Sequence, residues 1–338
     1  MKTDETAGRV SLREARAAML AAAEPLAIEE SSLAAAHDRA LAQTVRTRED
    51  LIPFARSAMD GYAVRAAETT DASADVPLAL PVRGAIYAGD LPCALAAGTA
   101  IAISTGAPLP LGADAVVPWE DVDVRGETIV LRAAVAPEDH VFPAGEDARS
   151  GDVLVRAGEI LTAGRAAILA AAGVARVAVH RRPRVGIICT GDELVAIDAQ
   201  PLTGQVRNSN ATMLALHAAG DGADVVTIAR AADADGPLRT ALRAAIASCD
   251  LVITTGGAST GERDLVKGVL SSLGARFAFT SIAMRPSKPT AFARTDRALV
   301  AVLPGNPAAA FVAYVTLVRG VVRRLAGRSD VVPPRVRA

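Results

Sequence analysis

Large aromatic side chains are almost missing from this chain: Phe, Trp and Tyr make up 3% of its 338 residues, although 51% are hydrophobic. The cores must therefore be built from Ala, Val, Leu and Ile, whose small side chains let elements pack closely. At this length the chain suits two or three domains, because single cores stop growing near roughly 250 residues. Cysteine is scarce too. Cys93, Cys189 and Cys249 stand far apart with no C-x-x-C spacing, so neither a disulfide framework nor a zinc site is indicated, and a reducing cytoplasm fits. The histidines, His37, His140, His180 and His217, are scattered, so a Ser/His/Asp hydrolase is not supported. No charge sign dominates, with 36 basic against 37 acidic residues and a net charge of −1. Such a balance provides no whole-molecule field for nucleic acid or an anionic membrane, so any anion site is local. Apolar runs fall short of the roughly 18 residues that a spanning helix needs, and Met1–Val10 is polar and charged. The expectation is a cytoplasmic protein, neither secreted nor membrane-inserted.

Local chemistry marks the first element. Ser11-Leu12-Arg13-Glu14 is a capping box, and apolar positions continue to about Ala23 before Pro25, which predicts a helix over 12–23. From Leu51 to about Leu161 short apolar runs broken by Gly and Pro, such as Val82–Gly89 and Glu127–Arg132, predict a mostly β region. Ala163–Ala172 reads as a short helix closed by Gly173, and the tract His180–Arg184 as a connector at the main domain boundary. Beyond it the pattern is α/β. Val185–Ile188 is a continuous apolar run, as expected when both faces of a parallel sheet are covered. There follow a helix from Ser209 or Asn210 to Ala219, a strand 224–228, a helix 237–247 behind a possible Asp235 cap, a strand 250–254 and a helix 262–273 before Gly274. This alternation predicts a doubly wound sheet with ligand contacts at the carboxyl ends of its strands.

Several motifs fall at those ends. Thr190-Gly191-Asp192-Glu193 follows a buried strand, and its acids would repel a bare phosphate unless a cation bridged them, which makes Mg²⁺ the natural partner; the same tetrapeptide also reads as a β-turn with helix-cap acids. In Gly256-Gly257-Ala258-Ser259-Thr260-Gly261 the glycines let the backbone approach an anion while the hydroxyls face it, although an ordinary glycine-rich loop looks alike. Asp264 starts a helix whose first amides could help hold a phosphate, or is a plain helix-start acid. Arg285-Pro286-Ser287-Lys288-Pro289 sets two cations on a stiffened backbone, suited to phosphate or carboxylate, unless they are simply solvated. Asn306-Pro307 reads as an N-cap and first helical residue, opening a helix to about Leu325.

With Ser57-Ala58-Met59-Asp60-Gly61-Tyr62-Ala63-Val64, Thr105-Gly106-Ala107-Pro108-Leu109-Pro110, Gly145-Glu146-Asp147 and Leu303-Pro304-Gly305-Asn306-Pro307, these motifs occur in the order and rough spacing of one family. The chain resembles the molybdopterin molybdenumtransferases, the MoeA and gephyrin E-domain family, over about residues 11–326. That resemblance implies a multidomain α/β protein. It would have an N-terminal region 9–180 with an inserted β-rich domain at about 52–145, then an α/β molybdopterin-binding domain at 181–326. It implies Mg²⁺-dependent insertion of molybdate into adenylyl-molybdopterin with release of AMP, in a homodimer whose active site is shared, with a molybdoenzyme as possible client. Asp60, Asp147, Glu193 and Asp264 match acids used for catalysis, with Asp192, Glu193 and Asp264 as metal ligands; Asp233 and Asp235 both lie near a further family acid. Thr105, Asn210, Gly256, Gly257, Ser259, Arg285, Lys288 and Asn306 would hold substrate.

The chain also departs from the family pattern. Ala102 and Phe142 stand where arginines are usual, Ser287 where glycine is, and Ala309 where serine is common. After the last helix a short tail, 327–338, stands where the family continues into a small β domain, so the chain is expected to be a short form lacking it. Those departures favour the alternative reading, a non-catalytic carrier of molybdopterin or finished cofactor. The four acids favour an insertase. A nucleotide pyrophosphatase on the same fold would reveal itself by turnover without pterin.

Overall fold

The computed structural model describes residues 9–256 and 265–332. Contacts divide the chain into two compact units, one holding Arg46–Leu154 with Ala171–Gly173, the other holding Val155–Ala170, Val174 onward and the stretch up to Val45.

Chain order begins with α1 (Leu12–Ala22), whose capping box forms as predicted: the Glu14 N–H donates to Ser11 Oγ at 3.2 Å and the Ser11 N–H to Glu14 Oε2 at 2.8 Å. Next comes β1 (Ile28–Ser32). The β-rich unit follows with β2 (Arg56–Ser57), β3 (Gly61–Val64), β4 (Leu78–Ile86), β5 (Ala100–Ile103), β6 (Ala115–Pro118), β7 (Val122–Arg125), β8 (Thr128–Leu131) and β9 (Val141–Phe142). Six of these form one sheet in the order β6-β3-β5-β4-β8-β7, antiparallel throughout except between β4 and β5. The small β9 pairs with β2. Two apolar clusters line the sheet, one around Val64, Leu80 and Ile129, the other around Ile86, Ile101 and Ile103.

The second unit continues with α2 (Ala163–Ala171) and β10 (Arg176–His180), which pairs antiparallel with β1. His180 thus ends a strand, and the predicted connector shrinks to 181–183 because the alternation before it reaches a partner far away in sequence. Then come β11 (Arg184–Thr190), α3 (Ser209–Gly220), β12 (Asp224–Ala231), α4 (Asp235–Ser248), β13 (Leu251–Thr255), α5 (Leu265–Ser272), β14 (Arg276–Phe279), β15 (Ala291–Arg294), β16 (Leu299–Leu303), α6 (Pro307–Ala313) and, after a π-helical turn at Tyr314–Val318, α7 (Arg319–Leu325). The sheet order is β12-β11-β13-β16-β15-β14. Its first four strands are parallel, and β15 runs antiparallel to both its neighbours, β16 and β14.

Continuous apolar strands arise because both sheet faces are covered. Val185, Ile187, Leu251, Ile253, Leu299 and Ala301 pack with α1, α3, α6 and α7, while the alternate residues Ile188, Val252, Val300 and Val302 pack with α4 and α5. At the edge, β12 turns Asp224, Val226, Ile228 and Arg230 outward, and its pairing with β11 shifts register between Val185 and Gly186.

The predicted cap of α4 is corrected. Ala234 occupies that position, and Asp235 lies inside the first turn, paired with Arg239 at 2.8 Å. The predicted single C-terminal helix carries the π-turn, whose Tyr314 hydroxyl donates to the buried Asp221 at 3.0 Å; Arg319 and Arg323 donate to the same carboxylate at 3.2 and 2.8 Å. Burial first, and the carboxylate next, push the Tyr314 phenol far above its ordinary value, so it stays a donor. No helix among the described residues is long and apolar enough to cross a membrane.

Gly61 admits no side chain: a Cβ there would stand 2.1 Å from the Val117 carbonyl oxygen on β6. Gly61→Ala should destabilise the β-rich unit on the order of 3 kcal/mol in urea unfolding. Gly164→Ala, in open space near the start of α2, should instead leave stability equal or slightly raised.

Candidate functional site

In the α/β unit, three strand ends meet almost backbone to backbone. A Cβ on Gly256, just past β13, would lie 2.0 Å from the Thr190 carbonyl oxygen at the end of β11, and Gly256 adopts φ +93°, the left-handed region that glycine tolerates. A Cβ on Gly305, past β16, would come 3.3 Å from the Gly256 Cα. Asn210 joins the last two ends. Its Nδ2 donates to Thr255 Oγ1 at 3.0 Å and to the Gly305 carbonyl at 2.8 Å, and the Thr255 hydroxyl donates to the Pro304 carbonyl at 2.8 Å. Asn210 is 8% exposed and its Oδ1 is buried without a partner among the described residues, so the residue positions the loops rather than presenting its amide nitrogen outward.

The acids gather beside this junction. Thr190 Oγ1 donates to Asp233 Oδ1 in a short hydrogen bond, the Asp233 N–H donates to Asp192 Oδ1 at 3.1 Å, and the Glu193 carboxylate lies against Gly191. Asp192, Glu193 and Asp233 form no ion pair among the described residues. Oxygen donors of this kind suit Mg²⁺, which is commonly held by one or two carboxylates together with substrate phosphates. Among the described residues no three such side chains enclose a metal ion unaided. A cation there would need ligands beyond these side chains, such as a phosphate. The structure separates the two acids that the sequence left undecided: Asp233 joins this cluster, while Asp235 pairs with Arg239. A residue directly beyond the end of β12 was the available signal, hidden by a strand three residues longer than its apolar pattern suggests.

Gly257, Ser259 and Asp264 lie outside the described residues. Arg285 and Lys288 are exposed, and neither forms an ion pair among the described residues. Between them Ser287 is buried at φ +91°, which accounts for glycine suiting that position; its hydroxyl donates to the Ala309 carbonyl at 2.6 Å. Asn306 caps α6, with Oδ1 accepting from the Ala309 N–H at 3.1 Å.

The β-rich unit holds the remaining candidates. Asp60 Oδ1 accepts from the Thr105 N–H at 2.8 Å and from its hydroxyl at 3.1 Å, so the two form one node at the foot of β3. Asp147 pairs with Arg56 at 3.1 Å. The Arg56 guanidinium also lies 5.0 Å over the Phe142 ring, directly across the β2–β9 pair. The sequence reading missed Arg56. The cross-strand register opposite Phe142, which no local pattern reveals, brings a cation beside Asp147.

An open α/β sheet whose carboxylates and glycine turns crowd the carboxyl ends of parallel strands defines a protein that takes its ligand in the crevice there. Comparison with known proteins narrows the class. Residues 10–173 match the MoeA N-terminal region (domain I and II), and residues 186–324 match a probable molybdopterin binding domain. The chain is 38% identical over 297 residues to a molybdopterin molybdenumtransferase of Nostoc sp., covering 87% of this chain and 68% of that protein. It is 34% identical over 324 residues to one of Haemophilus influenzae, covering 95% and 79%. The crystal structure of a molybdopterin biosynthesis MoeA protein from Pyrococcus horikoshii superposes with a TM-score of 0.78 at 33% identity, covering 95% of this chain and 81% of that one. The chain belongs to the molybdopterin molybdenumtransferase family, a family of transferases of molybdenum cofactor biosynthesis.

Asn210→Ala should lower the stability of the α/β unit by about 1–3 kcal/mol, because Thr255 and Gly305 lose a shared buried donor. Ser287→Ala keeps the positive φ and loses the hydroxyl bond, so it should cost about 1 kcal/mol, while Ser287→Gly should recover part of that loss. Thermal unfolding of the three variants checks both.

Proposed function

We propose that this chain inserts molybdate into adenylyl-molybdopterin with release of AMP, in a Mg²⁺-dependent step carried out in the cytoplasm. The observation that carries the reading is the cluster of Asp192, Glu193 and Asp233, acids without a cationic partner among the described residues, at the strand ends of the region matching a molybdopterin binding domain. Asp192 and Glu193, with Asp264, would hold Mg²⁺, and the ion would supply charge neutralisation as the pyrophosphate bond breaks and AMP leaves.

The chain's own groups have separable tasks in this reading. Thr190 fixes the Asp233 carboxylate, and Asn210 ties the two loop ends together. Arg285 and Lys288, both free of ion pairs among the described residues, meet the phosphates, whose charge they partly offset. Gly256 and Gly257 let the backbone approach the ligand, with Ser259 and Asn306 as polar contacts. In the β-rich unit Asp60 with Thr105, and Asp147 with Arg56, orient molybdate and the groups around it. Family resemblance supports borders near 52, 145 and 181 for the functional parts. It also supports a homodimer in which the β-rich part of one copy closes the site of the other, with the finished cofactor passing to a client molybdoenzyme.

AMP release from adenylyl-molybdopterin, measured with and without Mg²⁺ and molybdate, tests the proposal. Release that needs both is expected. Tight pterin binding without AMP would make the chain a carrier instead, and turnover of nucleotides without pterin would make it a pyrophosphatase. Glu193→Gln and Asp264→Asn should each lower the AMP rate by at least about 100-fold, since each removes a negative ligand where charge must be neutralised. An unchanged rate would remove the role given to that residue.

A further inference from the structure

The one tryptophan of the chain stands in water beside Asp60. Strand register explains why. Gly61 on β3 faces Pro118 on β6 and Ile103 on β5, and Ile103 faces Ile86 on β4. Trp119, Asp60, Ser104–Thr105 and Tyr87 therefore follow one another along a single end of the sheet. Hydrogen bonds hold the row together: the Trp119 N–H donates to the Asp60 carbonyl at 3.3 Å, Thr105 donates twice to Asp60 Oδ1, and the Ala88 N–H donates to Ser104 Oγ at 3.2 Å.

The two most exposed aromatic side chains stand on this row. Trp119 is 56% and Tyr87 62% exposed, whereas Phe279, Phe292 and Tyr314 are fully buried. An indole left in water forgoes one of the largest apolar contributions available to a single side chain, roughly 25 cal/mol per Å² of buried surface. The residue opposite it across β3 and β6 is Asp60, whose Oδ1 takes both Thr105 donors, while Oδ2 has no partner among the described residues. A flat apolar face beside a free carboxylate oxygen matches a planar ring bearing amino groups. The ring stacks on the indole and its amino edge donates to the acid.

We propose that Trp119 is a stacking platform for a planar, amino-bearing heteroaromatic ring of the substrate, and that Asp60 Oδ2 accepts from that ring's amino edge. The inference rests on the molybdenum-transfer reading, whose substrate carries two such rings, a pterin and an adenine. Because Trp119 is the sole tryptophan, its emission reports the site directly. The wild-type protein is titrated with neopterin and, separately, with AMP. Saturable change with neopterin assigns the pterin, and with AMP the adenine.

Calorimetry then compares the variants. Trp119→Ala should weaken binding of the assigned ring about tenfold, and Trp119→Phe, which keeps an aromatic face, should restore most of it. Both are checked for native far-ultraviolet circular dichroism, and the wild-type titration needs no variant. Undiminished binding by Trp119→Ala overturns the platform and leaves the transferase reading standing. Wild-type protein that binds neither ring overturns both.

Discussion

Three backbone segments touching without side chains between them govern the α/β unit. Gly256 against the Thr190 carbonyl leaves no room for a Cβ, and Gly305 against Gly256 leaves only a tight one, so the ends of β11, β13 and β16 come close together. Asn210 then fixes the separation through Thr255 and the Gly305 carbonyl. The turn that follows β11 must leave the sheet in one direction, which is why Asp192, Glu193 and Asp233 gather on one rim. The interior makes this possible. With few large rings, the sheet is clad on both faces by Ala, Val, Leu and Ile, and the helices pack near enough to hold the loops in place.

The β-rich unit uses the same device once more. Gly61 lets β3 press against β6, and that contact sets Asp60 level with Thr105 and Trp119. The motif Ser57–Val64 thus combines a structural demand at Gly61 with an exposed acid one residue earlier. The neighbouring Asp147 is governed differently, by Arg56 crossing from β2 over Phe142.

Much of this was legible in the chain. Capping chemistry marked α1 and α6 because Ser11 and Asn306 act on amides three residues away, within the window a sequence pattern covers. The continuous run at Val185 announced a sheet covered on both faces. What stayed hidden depends on partners distant in sequence: the reversed direction of β15, the strand that absorbs His180, the hydrogen bond from Thr190 that draws Asp233 to Asp192, and the placing of Arg56 opposite Phe142. The π-turn is hidden for another reason. Its hydrogen-bond shift accompanies the Tyr314 contact with Asp221, and neither residue breaks the helical periodicity around it.

The outward face of β12 carries a further consequence. Val226 and Ile228 form a bare apolar pair on an edge strand, the kind of surface on which copies of a protein can add strand to strand. Asp224 and Arg230 bracket the pair with opposite charges, and the register slip against Gly186 bends the rim out of plane. Both features resist fibrous growth, so the colloidal behaviour of the folded chain draws on Asp224 and on Arg230, which also donates to the Leu194 carbonyl beside Glu193.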